Sequence, residues 1–240
     1  MRKYFWIVLL VAILPLQGQQ NFASISFGVS NPLGEYGSTD DLKTSGYART
    51  GGAIKFDVGY FPTSYLGIAG SFSFNNNYGV RDSVLQDLIR YVVDNGTNII
   101  EIPDDAEIAY GSGFWNNIGL FLGPHFSVRL SQRFYVDLRV LGGLCILKPP
   151  DQELIISYDQ NEIHTRASNE KVSFGLSTGA GFRFKLNDDL ALRLAVDYLQ
   201  ARARFTYAYL FNDLADDIPP LETDFYVRSL DLLVGLAYAF

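Results

Sequence analysis

The sequence holds one cysteine, Cys145, one methionine and two histidines, His125 and His164. A lone cysteine excludes an internal disulfide framework and a cysteine zinc cage, and two histidines leave little for a metal triad. No cofactor is expected. Charged residues are sparse at 19%, and after residue 20 no run of eighteen apolar residues occurs, so no helix is expected to cross a membrane. Acids outnumber bases for a net charge of −7, which argues against nucleic acid as a partner.

Against those absences stand 22 Gly, 15 Tyr and 18 Phe in 240 residues that are 48% hydrophobic. Such a mixture suits one folded domain of sheet with many turns. The first residues read differently from the rest. Arg2 and Lys3 precede an apolar run over residues 5–14, and Gly18 precedes two glutamines, the layout of a signal peptide cleaved after Gly18. Ten apolar residues make about 15 Å of helix, half a bilayer core, too short for an anchor. No cysteine lies near this site to carry a lipid. The expected division is residues 1–18 as signal peptide and 19–240 as the folded domain, whose net charge without Arg2 and Lys3 becomes −9.

From residue 22 onward a period of two recurs eight times. Ile25, Phe27 and Val29 alternate with Ser24, Ser26 and Gly28. Ile54, Phe56 and Val58 alternate with Lys55, Asp57 and Gly59, and further segments follow near residues 66–74, 117–123, 134–146, 172–185, 190–198 and 230–240. Phe121 alone sits on the wrong face of its segment. The non-aliphatic face is mostly Gly, Ala and Ser, unlike the long charged side chains of a soluble exterior. The bulky face is therefore expected to meet lipid, in an all-β, eight-stranded antiparallel up-and-down transmembrane β-barrel. A secreted, soluble lipocalin-like ligand carrier is the competing reading. Lipid requires closure, because it cannot satisfy a free sheet edge.

Links of two lengths alternate. Those at residues 61–64, 129–132 and 187–189 are short, and those at 31–50, 75–112, 148–170 and 205–224 are long. With an even strand count the long links all lie at one end, expected to be the outside of the cell.

Gly235, Tyr238 and Phe240 stand where the C-terminal signal of outer-membrane barrels places a glycine and two aromatics, although Leu233 takes a position that signal keeps polar. Together with Gly28-Val29-Ser30-Asn31-Pro32-Leu33-Gly34, Gly46-Tyr47-Ala48-Arg49-Thr50-Gly51 and Leu122-Gly123-Pro124-His125, these residues resemble the small outer-membrane β-barrel domain family common in Bacteroidetes, akin to OmpA/OmpX and opacity-type barrels. The resemblance spans the whole mature chain. It implies location in the cell outer membrane and recognition by the barrel-assembly machinery, with outer-membrane lipid around a monomer. It implies no active site.

Nine charges fall on the inward face: Lys55, Asp57, Asp137, Arg139, Arg183, Lys185, Arg193, Asp197 and Asp231. Five bases and four acids are expected to pair as a polar plug, because an eight-stranded barrel is filled by its own side chains. No catalytic residues are expected. A hydrolase triad of His164 with Ser157 or Ser168 and Asp159 or Glu162 uses only ordinary loop residues. His125 reads as an interfacial or turn residue at the short-link end, and Cys145 as a small lumen residue. Aromatics near strand ends, among them Phe22, Trp115, Phe134, Tyr135, Phe225, Tyr238 and Phe240, suit two interfacial girdles.

The long links, with Lys171 counted, carry a net −13 and the barrel and its turns +4. Asp104, Asp105 and Glu107, or Asp213, Asp216 and Asp217, are oxygen-rich enough for Ca²⁺ but lack an organised calcium spacing, so solvated loops are the simpler reading. In the second long link Ser83 and Gln86 match a capping box. Leu85, Leu88, Ile89 and Val92 continue an apolar stripe from Val84, and Asn95-Gly96 is a stop, which predicts a helix of about ten residues serving as a lid over the barrel mouth. The functional expectation is a non-enzymatic outer-membrane barrel presenting acidic loops for surface structure, adhesion or binding of an extracellular or envelope protein partner. The alternative is a membrane-embedded subunit of a secretion or envelope-assembly complex.

Overall fold

The computed structural model describes residues 21–95, 107–111, 113–158, 161–167, 169–207 and 220–240. The expected division at residue 18 lies outside them. Eight long strands close into a ring: β1 (Phe22–Pro32), β2 (Ala48–Tyr60), β3 (Leu66–Gly79), β5 (Phe114–Arg129), β6 (Phe134–Lys148), β9 (Lys171–Lys185), β10 (Leu190–Tyr207) and β11 (Leu221–Ala239). Each is antiparallel to its neighbours, and β1 closes the ring on β11 from Phe22↔Ala239 to Pro32↔Ser229. Closure leaves the ring no free edge strand within the membrane, which is what lipid demands.

The period of two becomes an inside-out distribution. Leu232, Val234 and Leu236 are 44%, 51% and 47% exposed, whereas Asp231 between them and the rest of the strand is 1% exposed. Water would penalise such a surface heavily. On β11 the outward apolar residues run from Leu230 to Tyr238. Nine residues at about 3.3 Å each, tilted by about 40°, rise about 23 Å, close to the apolar band of an outer-membrane barrel. Beyond that band the outward positions turn polar, at Gln200 on β10 and its register partner Arg228 on β11.

The short links at 61–65, 130–133 and 186–189 sit at the end where β1 begins and β11 finishes. Phe240 N–H donates to Asn21 O (3.1 Å) and Ala239 N–H to Asp189 O (2.6 Å). The opposite end carries more regular structure than the sequence pattern suggests. There β3 runs to Gly79, β10 to Tyr207 and β11 starts at Leu221, so segments read as loop are strand. A second sheet, of order β4-β7-β8, also stands there, from β4 (Glu107–Gly111), β7 (Gln152–Tyr158) and β8 (Asn161–Ala167). Its strands are short, and Leu154-Ile155-Ile156 is apolar on both faces, so no alternation marks it.

The helix of the second long link, α1, covers Arg81–Asn95, fifteen residues rather than about ten. Ser83 lies inside it, so the expected capping box does not form; Asp82 supplies the negative charge of the first turn instead. Its entry is fixed by Val80 N–H donating to Tyr47 O (2.8 Å).

The β10–β11 hairpin extends past its ring neighbours, whose last pairs with it are Gly175↔Ala201 and Pro32↔Ser229. Bare edges invite aggregation. Here they are covered: Ser173 Oγ donates to Arg202 O (2.6 Å), Asn169 Nδ2 to Thr206 O (2.8 Å), and Tyr226 N–H to Glu35 Oε2 (2.9 Å).

Candidate functional site

Inward alternation buries eight of the nine expected lumen charges, six of them in one connected network and Arg183 with Asp137 as a separate pair. Arg139 forks onto Asp197 through Nε (3.1 Å) and Nη2 (2.5 Å) and reaches Asp57 Oδ1 through Nη1 (2.5 Å). Lys55 Nζ donates to Asp197 Oδ2 (2.9 Å) and lies 3.7 Å from Asp231. Arg193 bonds Asp57 and Ser24 Oγ, the latter at 2.7 Å. Nearer the short-turn end Arg183 clasps Asp137 through Nε (2.7 Å) and Nη2 (2.9 Å). None of the eight is more than 4% exposed. Four bases meet four acids, so each ion removed from water gains a partner that offsets its desolvation. At Gly179 an added Cβ would overlap the Asp197 carboxylate, so the missing side chain leaves room for the Arg139 fork.

The ninth charge, Lys185, is half-buried at the short-turn rim with its ammonium 5.8 Å from the Tyr135 ring centre, outside the network. His125 corrects the reading from sequence. It is fully buried in the lumen, edge-on to Phe22 and Phe61, with Nε2 3.5 Å from Asp137. Parity would have placed it there, because Asn117, Gly119, Phe121, His125 and Ser127 share the inward face of β5. Phe121 obeys the same rule: it is 3% exposed and fills the lumen beside Cys145 and Gly175. Four expected girdle aromatics, Phe22, Trp115, Tyr135 and Phe225, also turn inward, whereas Phe134, Tyr238 and Phe240 face out.

Above the charges lies a neutral layer. Asn75 Nδ2 donates to Asp231 (3.0 Å), and Asn117 Nδ2 donates to the Tyr36 hydroxyl (2.9 Å). Trp115 then seals the long-loop end, donating Nε1–H to Gly46 O (2.8 Å) amid Tyr36, Phe205 and Phe225. Over this cap α1 buries Val84 and Leu88, with Leu85 packed at the margin and Ile89 half-buried; the side chain of Val92 lies outside the described residues. Tyr47, at φ 52°, donates its hydroxyl to Asp87 of α1 (2.5 Å). Burial, then the Asp87 contact, push that hydroxyl far above its ordinary value, so it stays a donor.

Leu88→Ala is expected to weaken the lid locally by about 2–5 kcal/mol while the ring persists. Faster protease cleavage within residues 80–113, with an unchanged heat-modifiable gel shift, checks this.

Gly235 faces inward where a Cβ would strike Ser26 and Ile25 O, while Tyr238 and Phe240 point outward beside it. In the second sheet Ser157 pairs in register with Glu162, and Ile155 with His164, while Asp159 and Ser168 lie outside the described residues. Asp104, Asp105, Asp213, Asp216 and Asp217 lie outside them too. Among the described residues no group of three His, Cys, Asp or Glu is placed to hold a metal.

Outside the wall, above the apolar band, Arg202 and Arg204 share Asp224, with Nη2 contacts of 2.8 and 2.7 Å. These hydrogen bonds, that of Arg202 foremost, lower the Asp224 carboxyl to about 2. A depressed carboxylate favours the fold above its ordinary value, near 3.9, and that contribution disappears as pH falls through about 2. A carboxyl-carbon NMR titration of Asp224 is expected to show this midpoint.

The chain thus combines a closed ring, an apolar exterior and a filled polar interior. The family model for the outer membrane protein beta-barrel domain matches residues 7–240. The chain belongs to that family. Its place is the cell outer membrane, with the exposed aliphatic face in lipid. Solved structures similar to this chain are those of small outer-membrane barrels. Ail, the attachment invasion locus protein of Yersinia pestis, is 17% identical with a TM-score of 0.39, covering 92% of this chain and 99% of its own. OprG from Pseudomonas aeruginosa is 15% identical with a TM-score of 0.44, covering 92% and 96%. Neisserial surface protein A is 11% identical with a TM-score of 0.42, covering 92% and 97%. No curated protein sequence matches the chain.

Proposed function

We propose that this barrel is a non-enzymatic surface scaffold whose long-loop end faces outside the cell and binds a macromolecular partner there. The observation that carries the reading is the contrast between the two ends. The wall encloses a neutral, closely filled lumen, and the structure beyond the lipid band stands at the long-loop end: α1, the β4-β7-β8 sheet and the β10–β11 hairpin. A plugged interior offers no aqueous path, so what varies with function is the platform. The exposed apolar belt argues against a soluble carrier. The residues of Gly235, Tyr238 and Phe240 would serve the assembly machinery during insertion.

The test compares cells carrying the natural protein with cells carrying a version in which residues 81–111 are replaced by a short Gly-Ser turn. Surface binding to host-matrix proteins or to like cells is expected to fall, with both proteins heat-modifiable and neither conducting ions in planar bilayers. Equal binding, or a stable open channel in the natural protein, would contradict the scaffold reading. Recovery from mildly solubilised membranes in a stoichiometric multi-protein complex would favour the machine-subunit alternative.

A further inference from the structure

The outward face of the β10–β11 hairpin changes character abruptly. Up to the register pair Tyr198↔Leu230 it is apolar; the next three rows are Gln200↔Arg228, Arg202↔Tyr226 and Arg204↔Asp224. Two residues along a tilted strand rise about 5 Å, so the guanidiniums begin within one such step of the lipid band. That is the height of lipid headgroups. On β9, Phe174, one residue past the last pair with β10, remains 69% exposed, so apolar wall continues beside the arginines.

Within these three rows three guanidiniums face Asp224 and the nearby Glu35, an excess of one positive charge, and the next carboxylate, Glu222 opposite Thr206, stands one row farther from the lipid band. Asp224 holds Arg202 and Arg204 side by side, and Arg228 lies over the Tyr226 ring at 4.8 Å. The Nε of Arg228 is shielded from water and has no hydrogen-bond partner among the described residues. Lower on the wall and one strand over, Leu138, Ala180, Val196, Tyr198 and Leu230 line a shallow outward groove that starts at the Tyr198↔Leu230 row, and Ala180, between Leu138 and Val196 in register, has the smallest side chain among these. The Tyr198 hydroxyl, bonded to Gln200 (3.0 Å), marks its upper limit.

We propose that Arg202, Arg204 and Arg228 bind the phosphate of an outer-leaflet lipid whose acyl chain occupies the groove at Ala180. Guanidiniums recognise phosphate by charge-assisted, paired hydrogen bonds. The groove distinguishes a lipid from a free anion, because phosphate alone has no use for an apolar slot. This site rests on the outward orientation of the long-loop end proposed above.

The test is native mass spectrometry of the full-length folded protein in detergent micelles, with lipid A, a bisphosphorylated and acylated glucosamine disaccharide, as probe. Micelles have no inside or outside, so failure here is separable from failure of the orientation, which protease treatment of cells reads. The natural protein is expected to retain lipid A about tenfold more tightly than dephosphorylated lipid A. Arg202→Gln/Arg204→Gln/Arg228→Gln is expected to lose that preference, and Ala180→Phe to weaken both lipids, each variant remaining heat-modifiable. Equal retention of the two lipids by the natural protein would overturn the proposal without any variant. Displacement of lipid A by millimolar inorganic phosphate would overturn the lipid in favour of a simple anion site.

Discussion

Arg139→Met is expected to lower the stability of the barrel by about 3–5 kcal/mol, because it leaves three buried carboxylates, Asp57, Asp197 and Asp231, facing only Lys55 and Arg193. Asp57 and Asp197 are each 1% exposed and both take hydrogen bonds from this guanidinium. Lys55 and Arg193 would remain, each bonded to one of the acids, but neither reaches both. Urea titration of the protein folded into lipid vesicles, followed by the heat-modifiable gel shift, measures the loss. Arg139→Met/Asp197→Asn is expected to recover a substantial part of it, since one stranded charge is then gone. A midpoint unchanged in Arg139→Met would mean that the lumen is wet and that the network does not act as a plug.

The second large effect lies on the other side of the wall. Val234→Arg places a charge at mid-height of the apolar band, next to Leu194 and Phe27 in register, at a cost of about 2–4 kcal/mol in a bilayer. Thr206→Arg, on the same outward face but four rows beyond Tyr198, is expected to stay within about 0.5 kcal/mol. The contrast in depth is the informative quantity. A 51% exposed valine on a soluble barrel would accept arginine almost freely, so equal midpoints for the two variants would place water where this structure requires lipid.

Most of the fold was legible because alternation is a local code. Leu232, Val234 and Leu236 against Asp231 and Gly235 fix a face within six residues, and the same code fixes which charges enter the lumen. Pattern and structure part where residue type and parity point to different faces. The chemistry of His125, Phe22 and Trp115 suits an interface, yet each occupies an inward position of its strand, and burying an aromatic beside a guanidinium or a tyrosine is favourable there. The long-loop end was less legible for another reason. In β10 and β11 the alternation persists past Gln200, but its outward members become Arg202, Arg204 and Asp224, so the strand no longer contrasts apolar with polar in the membrane sense. The β4-β7-β8 sheet has strands too short to show a period. Helix α1 was visible through Val84, Leu85, Leu88 and Ile89, and its start was misplaced because Ser83 and Gln86 imitate a cap inside the first turns.

Protease treatment of intact cells, with the outer-membrane fraction then run heated and unheated, tests the central claim most directly. The account predicts a heat-modifiable band in that fraction, cut from outside only within residues 75–112 or 205–224, with the short turns at 61–65, 130–133 and 186–189 protected until the envelope is opened. A protein recovered without detergent from the periplasm or the medium, or cleaved in intact cells at the short turns, would contradict it.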